Sequence, residues 1–290
     1  MSGFEVIVVN DGSTDESVAR VEAFLRETRD RRFRLIHQRN EGPGSARNRG
    51  VEAATAEWVA FLDGDDEWQP TYLERCLGLL AEHPEANAIS TAWFDEPGRI
   101  SFVPRMQAVN VSTGLHITRP DTNTKQLAMV LVFMSPCSTV ARRQRVLEFG
   151  GFREGGCKFG EDVHLWIQFL MSDPVYVLLE EQAIFHRHLA GLSGNYKGAR
   201  PVEPFLEDPS SIRESCPGPK REKLNELLAV RAFKTALMLA YWGHWREAAA
   251  LRRKFSVPTE RQLPLHWISM LAASPLGAAA GAVARKLKRS

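Results

Sequence analysis

The sequence has few cysteines, no large excess of either charge and no long uninterrupted apolar run of the kind that spans a membrane. Its four cysteines, Cys76, Cys137, Cys157 and Cys216, lie far apart and form no Cys-x-x-Cys pair. This spacing excludes the usual zinc motifs and the disulfide frame of a small secreted protein, so a reducing cytoplasm is the expected compartment. The formal net charge of +2 argues against a nucleic-acid partner, because nucleic-acid-binding domains usually carry a marked basic excess.

Neither end of the chain carries a strong targeting or membrane-spanning signal. The first residues show no basic region followed by an apolar one, so no signal peptide is predicted. The tail from Leu263 to Ala284 is apolar, but Pro275 and an Ala-Gly run interrupt it. Basic residues follow at 285, 286, 288 and 289. The tail therefore predicts either an interfacial helix, with peripheral association at the inner face of the membrane, or a helix packed on the catalytic domain.

The first 80 residues alternate short apolar runs with helical patterns. Apolar runs from Phe4 to Val9, from Phe33 to His37 and from Trp58 to Leu62 predict strands. Helical spacing predicts a helix after each, and Pro70 opens the third. This alternation is typical of βαβ units, so we predict an α/β fold with a mostly parallel sheet.

Acidic turns follow two of these strands. Asp11 follows the first, and the cluster Asp63 to Asp66 follows the third. Ligands of such sheets bind at the carboxyl ends of the strands, so these acids should converge on one crevice. Neighbouring carboxylates repel one another unless a cation lies between them, and Mg²⁺ or Mn²⁺ suits hard oxygen ligands. The alternatives are a solvated acidic turn and an EF-hand calcium loop, but the latter lacks its required glycine, with Trp68 in that place.

The acidic turns belong to a series of motifs along the chain. The motifs are Asn10 to Asp15, Gly44 to Gly50, Phe61 to Asp66, Gly150 to Phe152, Glu161 to Trp166 and Phe185 to His188. Each motif alone is weak evidence, whereas their succession is highly specific. The series resembles family 2 glycosyltransferases of the GT-A fold and spans roughly residues 4 to 195 in the family's order.

The resemblance implies a set of residues that bind a nucleotide-sugar donor. Asp11 matches the aspartate that contacts the nucleobase, and Arg47 lies in the segment that helps to hold the nucleotide. Asp63 matches the ribose-binding aspartate of the DxD motif. Arg187 and His188 fall in a late motif near the diphosphate.

The resemblance also implies a metal site and a catalytic base. Asp63 and Asp65 match the DxD ligands of a divalent cation, Mg²⁺ or Mn²⁺, and Asp162 matches the base of the Glu-Asp motif. A helix N-terminus would lower the pKa of Asp162, whereas Glu161 and burial would raise it, and the sequence leaves the outcome open.

The implied function is that of an inverting, metal-dependent hexosyltransferase in cell-envelope polysaccharide biosynthesis. It would move a sugar from a nucleotide donor to a hydroxyl of a glycan or lipid-linked acceptor. The alternative is a non-catalytic nucleotide-sugar-binding remnant or partner subunit. The alternative arises because the usual first strand, reading like Val-Ile-Ile-Pro-x-Tyr-Asn, and its helix do not precede Phe4. Because that strand is central to the family's sheet and contributes to the nucleotide pocket, we expect its absence to expose apolar surface and to weaken donor binding.

Composition changes divide the chain. Residues 1–198 are predicted to form the GT-A domain, 199–222 a proline-rich linker and 223–290 a helical C-terminal extension.

Overall fold

A computed structural model describes residues 3–155, 159–188, 198–255, 268–269, 271–274, 277 and 280–281. The described residues of 1–117 and 131–189 form one unit, and those of 118–130 and 190–290 form a second. All the predicted site residues belong to the first unit.

Strands and helices alternate at the start of the chain, as the apolar pattern predicts. The strands are β1 Val6–Asp11, β2 Phe33–Gln38, β3 Trp58–Ala60, β4 Asp66–Trp68, β5 Ala88–Glu96, β6 Ile100–Ser101, β7 Gly114–His116, β8 Thr139–Arg142 and β9 Val175–His186. The helices are α1 Ser17–Thr28, α2 Pro43–Ala53, α3 Tyr72–Glu82, α4 Val103–Gln107, α5 Thr124–Phe133, α6 Arg143–Glu148, α7 Glu161–Ser172, α8 Pro204–Glu207, α9 Ser210–Ser215, α10 Arg221–Tyr241 and α11 Trp245–Lys254.

The described strands form two sheets. β1 and β2 pair in parallel as a sheet of their own. The other strands form a second sheet in the order β3-β8-β5-β9-β4, with β6 on β5 and β7 on β9. In this second sheet only β5 and β9 run parallel, so the predicted mostly parallel pairing is wrong there. The reason is that these pairs join strands that are distant in the chain, such as β3 with β8 and β4 with β9. The local alternation of strands and helices does not fix the relative direction of such pairs.

The core of the first unit lies around β5 and β9. Their first residues are buried, and α7 is buried along most of its length. The apolar runs 175–179 and 183–185 belong to one continuous strand, β9. Where β9 pairs with β5, the register shifts on both sides of Ala92. These irregularities accommodate the polar residues between the two runs. By contrast, no residue of β1 is fully buried.

In the second unit, the proline-rich stretch contains α8 and α9. Glu203, at the start of α8, accepts hydrogen bonds from Arg231 and Thr235 of α10, each at 2.7 Å. Phe205 and Leu206 are buried, so this stretch is folded. The division at residues 198 and 222 stays a prediction.

Among the described residues, no helix combines the length and the hydropathy needed to span a bilayer. Cys76, Cys137 and Cys216 are buried free thiols. Cys157 and most of the apolar tail from Leu263 to Ala284, with the basic residues after it, lie outside the described residues, so the two predictions for the tail stay open.

Candidate active site

Asp11 fixes the loop that leads into α2. Its carboxylate accepts hydrogen bonds from the Gln38 side chain at 2.8 Å and from the backbone N–H groups of Glu41 and Gly42 at 2.9 Å. Both carboxylate oxygens take part. The acid at the end of β1 therefore anchors the loop just before α2.

Arg47, on α2, joins two acidic groups that are distant in sequence. Its Nη2 lies 2.8 Å from both carboxylate oxygens of Asp63, and its Nη1 lies 2.9 Å from Oε1 of Glu161. The side chain is only 11% exposed, and its Cζ lies 5.4 Å from the centre of the Phe152 ring. Charge-assisted, two-point contacts of this kind fix geometry as well as charge. Arg47 thus holds the turn after β3 and the start of α7 together.

A second set of contacts fastens α2 to the loop before α7. Asn48 Oδ1 accepts the Phe152 N–H at 2.8 Å, and its Nδ2 donates to the Phe152 carbonyl at 2.9 Å. Gly151 has φ +72°, and a Cβ there would lie 2.4 Å from Asn48 Oδ1. A Cβ on Gly44 would lie 2.2 Å from the Arg153 carbonyl oxygen. These glycines are therefore required by close approach.

Asp162 lies in the first turn of α7. Burial, reinforced by the neighbouring Glu161 carboxylate, raises its pKa to about 6, while Arg47 acts in the opposite direction. The balance that the sequence leaves open therefore favours the raised pKa, because loss of hydration outweighs the local hydrogen bonds and the arginine. A carboxylate with this pKa is largely ionised at neutral pH and is still able to take up a proton.

The acidic turn after β3 contains groups that can hold a cation. Ligand atoms of Asp63, Asp66 and Cys137 all lie within 4.8 Å of one another. Burial raises the pKa of Asp66 and that of the Cys137 thiol. Asp65 is half-buried, and no side-chain hydrogen bond to it is found among the described residues. The Asp65 carboxylate, together with that of Asp63, therefore offers the kind of oxygen ligands that Mg²⁺ or Mn²⁺ prefers.

Arg187 and His188 follow β9 and are exposed. Arg187 Nε donates to Asp95 Oδ1 at 2.7 Å. The His188 ring packs edge-on against His186, with 5.7 Å between the ring centres. The His186 backbone N–H donates to Asp66 Oδ1 at 3.2 Å. His186 therefore connects the late motif to the acidic turn through its backbone N–H and its ring.

The structure thus brings Arg47, Asp63, Glu161 and Asp162 into one cluster. Asp11 is connected to it through α2, and Arg187 pairs with Asp95. Sequence reasoning missed Asp95 and Cys137. Asp95 carried a usable signal, since it stands at the end of an apolar strand, as Asp11 does. The sequence around Cys137 gives no comparable signal.

The comparison with family models decides the family. Residues 1–149 match the model described as Glycosyl transferase family 2. The chain belongs to this family. The match covers α2 and the acidic turn, and so includes the segments that carry Asp11, Arg47 and Asp63.

Several proteins resemble this family 2 chain. A putative glycosyltransferase of Bacillus subtilis, EpsH, is 47% identical over 100 residues, which cover 34% of this chain and 28% of EpsH. An uncharacterized glycosyltransferase of Escherichia coli, YibD, is 30% identical over 201 residues, which cover 66% of this chain and 55% of YibD. The chain therefore spans little more than half the length of YibD and less of EpsH.

The fold also matches a solved structure. TarS residues 1–349 of S. aureus, determined in complex with UDP-GlcNAc, superposes with a TM-score of 0.54 at 18% identity, covering 93% of this chain and 73% of that one. The predicted GT-A type of α/β fold is confirmed.

Proposed function

We propose that this family 2 chain is an inverting, metal-dependent glycosyltransferase. It moves a sugar from a nucleotide donor to a hydroxyl of a glycan or lipid-linked acceptor in cell-envelope polysaccharide synthesis. The observation that carries the proposal is the Arg47 bridge, which joins an aspartate of the DxD turn to the residue beside Asp162. Groups suited to bind a donor therefore lie beside a group suited to remove a proton.

The donor is held by residues of four segments. Asp11 contacts the nucleobase, Asp63 the ribose, and Arg47 supports Asp63. Arg187 and His188 lie near the diphosphate. The nucleotide complex of the TarS neighbour, which contains UDP-GlcNAc, supports a donor of this chemical class.

Asp63 and Asp65 would hold Mg²⁺ or Mn²⁺. A cation bound there neutralises charge on the diphosphate and makes it a better leaving group. The donor atoms of the acidic turn are carboxylate oxygens, which suits these hard cations better than a softer metal.

Asp162 removes the acceptor proton. The acceptor oxygen attacks the anomeric carbon, the bond from that carbon to the diphosphate oxygen breaks, and the hydroxyl proton passes to the Asp162 carboxylate. Attack on the face opposite the leaving group inverts the anomeric configuration. A pKa of about 6 lets this carboxylate accept a proton near neutral pH.

Calorimetric titration with UDP and with GDP, each with and without Mn²⁺, tests the proposal, followed by an assay of nucleotide-sugar turnover. We expect Asp65→Ala to abolish the Mn²⁺-dependent part of nucleotide binding. Glu82→Ala, an exposed acid on α3, serves as the control and should bind normally. Binding without turnover would favour a non-catalytic nucleotide-sugar-binding subunit, and unchanged affinity in Asp65→Ala would overturn the metal assignment.

A further inference from the structure

The backbone of Arg187 is fixed at the edge of the sheet where β5 and β9 both end. These two strands run parallel, and Asp95 is the register partner of Phe185. One residue beyond β9, the Arg187 N–H donates to the Glu96 carbonyl at 3.0 Å. The start of the Arg187 side chain therefore has a defined position beside Asp95.

Two contacts then hold the guanidinium of Arg187. Asp95 Oδ1 accepts a hydrogen bond from Nε at 2.7 Å, and Cζ lies 4.9 Å from the centre of the Phe185 ring. The Asp95 side chain is 24% exposed and that of Arg187 is 49% exposed. Within the described part of the chain, the hydrogen bonds leave Nη1 and Nη2 without a protein acceptor.

This pattern differs from that of an ordinary surface pair in the same chain. Asp30 contacts both Nε and Nη2 of Arg32, at 3.0 and 2.6 Å, so that pair uses a terminal nitrogen. The exposure of Asp30, 25%, is close to that of Asp95. Asp95 therefore orients its arginine and leaves both terminal nitrogens available.

We infer that Asp95 is a positioning residue, which holds Arg187 by Nε so that Nη1 and Nη2 can bind the diphosphate of the donor. The inference rests on the proposed function. Arginine binds phosphate best through two parallel N–H groups, and such a fork loses less entropy when it is already oriented. Asp95 itself touches no substrate in this arrangement.

Positioning and simple electrostatics predict opposite effects of removing Asp95. If its negative charge only repelled the diphosphate, Asp95→Asn would bind UDP more tightly. If Asp95 orients Arg187, the same variant binds UDP more weakly, because the amide holds Nε less firmly and the guanidinium samples other rotamers. The sign of the change thus separates the two roles.

The experiment measures the affinity of the full chain for UDP and for uridine in Mn²⁺, or for GDP and guanosine if the wild type prefers guanine. We expect Asp95→Asn to weaken diphosphate binding roughly tenfold, about 1.4 kcal/mol, and to leave nucleoside binding unchanged. In an Arg187→Lys background, which keeps the charge but has no Nε, Asp95→Asn should have no further effect. Asp30→Asn is the matched control and should leave both affinities unchanged.

Several results would overturn the inference. These are equal or tighter UDP binding by Asp95→Asn, an equal loss for the nucleoside, or the same loss in the Arg187→Lys background. Thermal melts of Asp95→Asn and Asp30→Asn should agree closely, and a far lower melting temperature for Asp95→Asn would indicate a structural role. If the wild-type chain binds neither UDP nor GDP, the proposed function fails and the inference with it; if it binds one normally, only the inference is at risk.

Discussion

Arg47 is the residue on which the electrostatics of the candidate site depends. It is largely buried between Asp63 and Glu161, and removing a buried charge leaves its partners unpaired. Its positive charge also favours the ionised form of Asp162. In the proposed function, donor binding and proton removal therefore depend on the same arginine.

Asp162→Asn should keep nucleotide affinity and lose transfer by about a hundred- to ten-thousand-fold, the range for removing a general base. The amide has the same shape as the carboxylate but cannot accept the acceptor proton. Initial-rate assays together with UDP or GDP titration would check this. Retained transfer would place the base elsewhere, with Glu161 the first residue to examine.

The pH dependence follows from the raised pKa of Asp162. Since Asp162 must be ionised to act as the proposed base, kcat/KM should fall as the pH drops through about 6. Glu161→Gln removes a like charge while its amide oxygen can still accept from Arg47, so the pKa of Asp162 should decrease and the acid limb should move to lower pH. A pH profile of kcat/KM measures the limb. An acid limb that stays in place or moves upward would contradict this account.

At the scale of elements, α2 connects the parts of the site. It begins at a loop held by Asp11, carries Arg47 and Asn48, and packs its first turn against the loop that contains Arg153. A displacement of this helix would disturb the proposed donor-binding groups and the position of α7 together.

Two glycines of α2 give a matched test of this packing. Gly44→Ala would place a Cβ 2.2 Å from a backbone oxygen and should destabilise the protein by about 1–3 kcal/mol, as overpacking does. Gly50→Ala meets only Val9 Cγ2, at 3.7 Å, and should be neutral or stabilising by up to about 1 kcal/mol. Urea unfolding of both variants measures the difference, and equal effects would show that the close approach at Gly44 is unimportant.

At the scale of the molecule, the two sheets differ in burial. β1 has no fully buried residue, and its sheet consists of two strands, an arrangement of marginal intrinsic stability. The first six residues of β5 and the first four of β9 are buried.

Hydrogen exchange should reflect this difference. Amides of β1 and β2 should exchange faster than those of β5 and β9, because local opening of a poorly buried sheet costs less free energy. Addition of nucleotide and Mn²⁺ should slow exchange near Asp11 if that residue contacts the nucleobase. Uniform protection across both sheets would contradict the first expectation.

Local patterns in the sequence predicted three strands and three helices in the first 80 residues but missed the short strand β4. The helical spacing of Leu73, Leu77 and Leu80 corresponds to α3, and the β-branched run before Asp11 corresponds to β1. Such features depend on neighbouring residues, which a single sequence displays directly. The motif series similarly identified the family, whereas the bridge that Arg47 forms between Asp63 and Glu161 is seen only in the folded structure.

Features that depend on distant pairing were not predictable. β8 lies between β3 and β5 and runs antiparallel to both, and no local pattern specifies the neighbours of a strand. The same holds for Cys137, whose Sγ accepts the Asp63 N–H at 3.3 Å although 74 residues separate them. The pKa of Asp162 depends on opposing contributions whose balance requires the packed structure.

The sharing of Arg47 has a thermodynamic consequence. A donor or cation that engages Asp63 changes how strongly that carboxylate competes for the arginine, and thereby changes the field at Glu161 and Asp162. Proton binding at Asp162 and donor binding at Asp63 are then linked equilibria, and each must alter the other by the same factor. Donor affinity would accordingly vary with pH around 6, even though neither nucleobase nor ribose titrates there.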